Sequence, residues 1–189
     1  MVLDDQTSRL IVVTGPARSG KSEWAEALAL QSGRSVLYIA TALVQSSDRE
    51  WQARIEAHLV RRPPTWETWE VPVELATAIA RAAPTACILV DALGTWLANC
   101  LDETDLIWQH RVDGLLASLQ ITSCQVILVA EETGWGVVPA YPLGRRFRDR
   151  MGTLTRQVGA IADAVYLVTA GYALNLKTLG TPLPPIIDP

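Results

Sequence analysis

The sequence predicts an α/β protein: a mainly parallel β-sheet with helices on both faces and an antiparallel hairpin at one edge. Three observations carry this. Leu10-Ile11-Val12-Val13 runs into Gly15-Pro16-Ala17-Arg18-Ser19-Gly20-Lys21-Ser22 and then into a helical pattern, which is the strand, glycine-containing loop and helix of a P-loop. Short, wholly apolar runs at residues 36–40, 87–90 and 126–130 suit strands buried on both faces of a parallel sheet. Helical periodicity recurs between these runs, as the crossovers of a parallel sheet require.

Taken in order, residues 9–14 form the first strand and residues 21–31 a helix in which Trp24, Ala27 and Leu28 repeat at helical spacing, with Gly33 as its stop. A strand at 36–40 follows. Ser47-Asp48-Arg49-Glu50 reads as a capping box opening a helix with Trp51, Ile55 and Leu59 on one stripe, ended by Pro63 and Pro64. Residues 66–71 are extended, 73–82 a short alanine-rich helix, and 87–91 a strand that ends on Asp91. Helices are expected at 93–101 and 106–119, the second carrying Ile107, Val112, Leu115, Leu116 and Leu119 inward. The strand at 126–130 meets Glu131-Glu132-Thr133-Gly134-Trp135-Gly136, whose tryptophan is either a lid over a ligand or a packed loop anchor. Arg145, Arg146 and Arg148 open a helix reaching about 163, and strands at 164–169 and 172–176, separated by Ala170-Gly171, form the edge hairpin. The proline-rich tail from 181 reads as an arm.

With 189 residues the chain suits one domain spanning 1–189, with flexible ends at about 1–8 and 180–189. Its net charge of -4 and 19% charged residues give no electrostatic footprint for nucleic acid. Cys87, Cys100 and Cys124 are odd in number and contain no Cys-x-x-Cys pair, so buried free thiols are expected rather than disulfides or structural zinc. The acidic start Met1-Val2-Leu3-Asp4-Asp5 is unlike a secretory leader and no apolar run reaches membrane-spanning length. A cytoplasmic protein with no stable membrane insertion is the expectation.

The chemistry begins at the P-loop. Gly15 and Gly20 let the backbone curl so that its amides and the helix N-terminus face a triphosphate. Lys21 would reach the β and γ phosphates of ATP or GTP, and Ser22 would place its hydroxyl on Mg2+. Asp91, at the end of an apolar strand, has the form of the acid that helps hold that ion. Of the two histidines, His110 lies in an amphipathic helix away from any motif and is taken as structural or solvated. His58 differs, because at about 100° per residue Arg54, His58 and Arg61 fall within roughly 60° of one another. Flanking guanidinium groups disfavour imidazolium and would leave a neutral, nucleophilic ring beside a phosphate-attracting surface. An ordinary charged helix end fits the same spacing.

Several stretches together point further. Gly15 to Ser22, residues 37–42, Arg54-Ile55 with His58 and Arg62-Pro63, Trp66 with Thr68 and Glu70, Val90-Asp91 with Trp96-Leu97 and Asn99, Gly134 with 136–139, and Phe147-Arg148-Asp149 resemble, in order and spacing, the bifunctional adenosylcobinamide kinase and adenosylcobinamide-phosphate guanylyltransferase family. The likeness runs from about residue 9 to 177. It implies a RecA-like P-loop NTPase fold and a homotrimer. It also implies two reactions: phosphorylation of adenosylcobinamide, then transfer of GMP from GTP through a histidine-GMP intermediate to adenosylcobinamide phosphate. The matching histidine is His58. By the same carry-over Ala40, Thr41, Ala42, Leu59, Val60, Arg61, Arg62, Glu70 and Asp91 would contact the guanine nucleotide or its metal, beside Gly15, Pro16, Ala17, Arg18, Ser19, Gly20, Lys21 and Ser22. The chain departs from the family pattern at Pro16, often glycine, at Glu131 and Thr133, where Asn and Val are usual, and at Thr155-Arg156, where Asn-Gln is expected.

The motifs alone also fit a plain small-molecule kinase without a nucleotidyl intermediate, or a non-catalytic nucleotide-binding module. Covalent retention of GMP separates the first from the transferase, and turnover separates the second.

Overall fold

The computed structural model describes residues 8–42 and 62–184. Its centre is a seven-stranded sheet in the order β3-β2-β4-β5-β1-β6-β7, built from β1 (Leu10–Gly15), β2 (Val36–Ala40), β3 (Glu67–Glu70), β4 (Cys87–Asp91), β5 (Gln125–Glu131), β6 (Ala164–Thr169) and β7 (Tyr172–Asn175). Every neighbouring pair is parallel except β6 with β7. The expected edge hairpin is therefore present, with Ala170 and Gly171 both at positive φ in its turn.

The apolar strands bury both faces, as their sequence implies. Side chains alternate across the sheet with period two. Leu10, Val12, Ile88, Val90, Val126 and Leu128 enter one core, while Ile11, Val13, Leu89, Ile127 and Val129 enter the other. The two faces are covered unequally among the described residues. The first core is roofed by α2 (Leu75–Arg81), α3 (Leu93–Asn99), α4 (Asp105–Ile121) and α5 (Pro142–Ile161), the second by α1 (Lys21–Gln31) through Ala25, Leu28 and Ala29.

Trp96 anchors the larger core. It is fully buried, lies 5.2 Å from the Trp108 ring and donates its Nε1 hydrogen to Val73 O at 2.7 Å, which satisfies the one polar group its burial would otherwise strand. Cys87, Cys100 and Cys124 are buried and free, in line with expectation, and burial pushes the Cys87 and Cys100 thiols up to about 11.

Several boundaries differ from the sequence-based expectation for local reasons. Helix α5 begins at Pro142 rather than near Arg145, because proline's fixed φ and missing N–H suit a first helical turn. In α4 it is Trp108 that turns into the core while Ile107 stays exposed; the helix starts at Asp105 with Thr104 capping it, its side chain accepting from the Ile107 amide. Strand β7 stops at Asn175, whose side chain accepts the Lys177 amide and opens a short helix α6 (Leu176–Leu179) that the apolar pattern did not announce. Arg150, on the helix that Arg145, Arg146 and Arg148 open, is buried. Its guanidinium donates to the carbonyls of Leu101 and Glu103 and pairs with Asp105 at 2.8 Å. The helix expected after Ser47 and the ends at 1–7 and 185–189 lie outside the described residues, and among those described no helix is long and apolar enough to cross a membrane.

Candidate nucleotide site

The carboxyl ends of β1, β2, β4 and β5 bring Gly15, Ala40, Asp91 and Glu131 to one edge of the sheet, with Gly15 paired to Glu131 and Ala40 to Asp91 in register. This edge is where open parallel sheets bind ligands. Why the chain turns here is legible residue by residue. A Cβ on Gly15 would stand 2.4 Å from the Val168 carbonyl oxygen and 2.7 Å from Ser19 Oγ, so only glycine lets the strand pass into the loop. Gly20 has φ 90° and Arg18 φ 59°, the left-handed conformations that curl the backbone. Helix α1 then starts at Lys21 with no side-chain cap. The amides of the first turn face the loop as an anion site requires, and the helix dipole adds partial positive charge there.

Lys21 folds back over this cradle and donates to the Pro16 carbonyl at 3.3 Å. Ser22 donates its hydroxyl to Asp91 Oδ1 at 3.4 Å, and Tyr38 donates to Asp91 Oδ2 at 2.8 Å. A hydroxyl and a carboxylate beside a phosphate cradle are hard oxygen donors, the kind magnesium accepts when most of its shell is phosphate and water. Their arrangement fits an Mg2+ ion carried in on a nucleotide. The Asp91-Ala92 peptide is cis.

Thr41 is wholly buried and its side chain turns inward. It donates to Ala92 O at 2.7 Å, accepts the Ala92 amide and bonds the Thr95 hydroxyl. Asn99 donates to Thr41 O and Pro72 O at 2.8 and 2.9 Å. The residue thus ties β2 to the start of α3, leaving Ala40 and Ala42 partly exposed at the edge. Glu70, exposed at the end of β3, lies beside β2 on the same edge and borders a cavity of about 430 Å3 with Trp69, Val73 and Arg81.

Of the segment that carries the histidine cluster, Arg62 is described. Its guanidinium sits 3.4 Å above the Tyr38 ring, against which Trp66 stacks at 6.4 Å, and its buried Nε has no partner among the described residues. Arg54, His58, Leu59, Val60 and Arg61 lie outside the described residues. His110 is exposed on α4, in line with the solvated reading.

Glu131 is the functional-edge residue that motif reading passed over, noting it only as a departure from the family pattern. Its Oε2 accepts the Gly94 amide at 2.8 Å, and a Cβ on Gly94 would stand 2.2 Å from that oxygen. Burial pushes its carboxyl up, Lys21 pulls it down and Asp91 pushes it up again, for a net rise to about 7. The available signal was two glutamates closing a wholly apolar strand, since period two forces one of them back toward the sheet. Glu132 accepts the Thr14 hydroxyl at 3.0 Å and so pins the loop entrance. Trp135 is 65% exposed and Val137 95%. The loop tryptophan is therefore not a packed anchor, and it presents apolar surface near the strand ends.

Comparison with known proteins agrees with this geometry. The sequence model for "Cobinamide kinase / cobinamide phosphate guanyltransferase" matches residues 11–176. The "Bifunctional adenosylcobalamin biosynthesis protein CobP" of Pseudomonas aeruginosa is 42% identical over 177 residues, covering 91% of this chain and 98% of that protein. The "Bifunctional adenosylcobalamin biosynthesis protein CobU" of Salmonella typhimurium is 38% identical over 183 residues, covering 89% of this chain and 99% of that protein. Among solved structures, an ATPase from the type III secretion system of pathogenic bacteria superposes with a TM-score of 0.53 at 11% identity, covering 90% of this chain and 58% of that one. That likeness is one of fold. With a match over most of its length and whole-length relatives at this identity, the chain belongs to the cobinamide kinase / cobinamide phosphate guanyltransferase family.

Proposed function

We propose that the chain phosphorylates adenosylcobinamide with ATP or GTP and then transfers GMP from GTP, through His58, to adenosylcobinamide phosphate, giving adenosylcobinamide-GDP. The observation that carries this is the uncapped start of α1 wrapped by the Gly15–Gly20 turn, with Lys21, Ser22 and Asp91 converging on it. In the kinase half the loop amides and Lys21 hold the β and γ phosphates, and positioning with charge neutralisation supplies most of what phosphoryl transfer needs. Ser22 and Asp91 would hold Mg2+, which when bound screens the phosphate charge.

In the transferase half an imidazole nitrogen of His58 attacks the α phosphorus of GTP. An N–P bond forms, the bond from the α phosphorus to the bridging oxygen breaks, and pyrophosphate leaves. A phosphate oxygen of the corrinoid substrate then attacks the same phosphorus and the imidazole departs with its electron pair. One hard displacement becomes two easier ones. Arg54, Arg61 and Arg62 are the candidates for stabilising charge on the phosphate oxygens, and the buried Nε of Arg62 is open to such a partner. We further take the protein to be a cytoplasmic homotrimer. Family membership supports the two-step reading over a plain kinase.

The test is intact mass after exposure to GTP and Mg2+, repeated with His58→Ala. A gain of one GMP per chain that is labile in acid and absent from the variant is expected, with phosphorylation of adenosylcobinamide retained by the variant. Full guanylyltransfer by His58→Ala would exclude the covalent route.

A further inference from the structure

The nucleotide edge contains a hydroxyl that the proposed reaction does not use. Tyr38 lies on β2 opposite Leu89 of β4, two residues before the level at which Ala40 faces Asp91. That step is about 6.6 Å along a strand, a distance a phenol spans, so the ring runs under the sheet edge and its hydroxyl meets the aspartate from below. The ring is 2% exposed, and a phenol buried so deeply needs a partner for its O–H. Asp91 Oδ2 is that partner at 2.8 Å.

Two hydroxyls thus touch one carboxylate unequally. The Tyr38 bond has the normal length of an O–H···O contact, whereas the Ser22 bond, at 3.4 Å to Oδ1, is at the long limit. Of these two, the Tyr38 bond holds the carboxylate more tightly. The ring is itself held, with Arg62 over it at 3.4 Å and Trp66 stacked at 6.4 Å. Both belong to the stretch that directly follows the segment carrying His58.

We propose that Tyr38 is a positioning residue for the nucleotide-bound metal: its hydroxyl fixes Oδ2 of Asp91 so that Oδ1 faces Ser22 and the incoming divalent cation. This rests on Asp91 serving the metal, as proposed above. Outer-shell hydrogen bonds of this kind are commonly worth ten- to a hundredfold in metal affinity. Because both half-reactions use a metal-bound triphosphate, the tyrosine acts on both.

The experiment is a Mn2+ titration, followed by the electron paramagnetic resonance of the free ion, of the full chain saturated with guanosine α,β-methylene triphosphate, which cannot release pyrophosphate. Tyr38→Phe keeps the ring beneath Arg62 and removes one oxygen. It is expected to weaken Mn2+ roughly tenfold. The Mg2+ concentration that half-saturates phosphorylation and self-guanylylation should rise by a similar factor, the larger part of the loss appearing there rather than in kcat. Half-saturating concentrations do not depend on how much of the sample is folded, so partial misfolding would not imitate this result. Asp91→Asn is the reference and should also lose Mn2+. Unchanged Mn2+ affinity in Tyr38→Phe beside a loss in Asp91→Asn would overturn the positioning role alone. Unchanged affinity in both would overturn it together with the metal role of Asp91.

Discussion

Glu131→Gln tests the electrostatics of the site through stability, without reference to turnover. The folded protein raises this carboxyl from its ordinary 4.5 to about 7, chiefly by burial. A raised carboxyl is held preferentially as the neutral acid by the folded state. Stability is therefore fully present below about pH 4.5 and declines as pH climbs to about 7, where the folded form also ionises and the cost levels off. At 1.36 kcal/mol per pH unit the interval corresponds to at most about 3 kcal/mol, reduced by the partial solvent contact of the side chain. Glutamine keeps an oxygen for the Gly94 amide, 2.8 Å away in the wild type, and carries no charge to desolvate. Urea denaturation at pH 5, 6, 7 and 8 should show the variant gaining on the wild type with each step. At pH 8 the gain should be about 2–3 kcal/mol, or roughly 4–12 °C in Tm for a chain of this size. A stability difference that does not change with pH, or a wild type favoured at pH 8, would refute the argument that this carboxyl is ionised at a cost.

Further outcomes follow from the same geometry. Lys21→Ala should lower both phosphorylation and GMP transfer about a hundredfold or more, read as initial rates, since one ammonium serves the triphosphate in each. Gly15→Ala should cost more stability than Gly94→Ala in denaturant titrations. Its Cβ meets the Val168 backbone at 2.4 Å, whereas that of Gly94 meets the movable end of Glu131, so about 3 kcal/mol against about 1 is expected. Trp96→Ala should cost about 3–5 kcal/mol in the same assay, through the cavity it leaves and the lost indole hydrogen bond to the Val73 carbonyl. Cys87 and Cys100, buried with thiols pushed up to about 11, should resist iodoacetamide at pH 8 until the protein is denatured, as peptide mass mapping would show.

Local patterns were enough to specify the sheet strands, the glycine loop and the acid at the end of β4. Each follows from information within a few residues: an unbroken apolar run has to be buried on both faces, Gly15 and Gly20 allow a turn that other residues resist, and an aspartate closing such a run must emerge at the sheet edge. The resemblance to a kinase and guanylyltransferase family was likewise carried by short stretches in order. Side-chain direction was less legible. Whether Ile107 or Trp108 faces inward differs by one helical step, and the Thr104 cap and the core beneath settled it. Arg150 could not be told from the other arginines of its helix until Asp105 and the carbonyls after α3 were brought alongside it.

What only the tertiary structure decided is which groups meet. Asp91 is 69 residues from Ser22 and 53 from Tyr38, and Gly94 is 37 from Glu131. No periodicity spans such separations. The strand order places β4 and β5 between β2 and β1, and this inserted pair puts a second carboxylate beside the phosphate loop and a phenol beneath the first. Composition and spacing state which chemistry a chain can carry; the electrostatic state of a carboxyl depends on distances and burial, which exist once the strands are side by side.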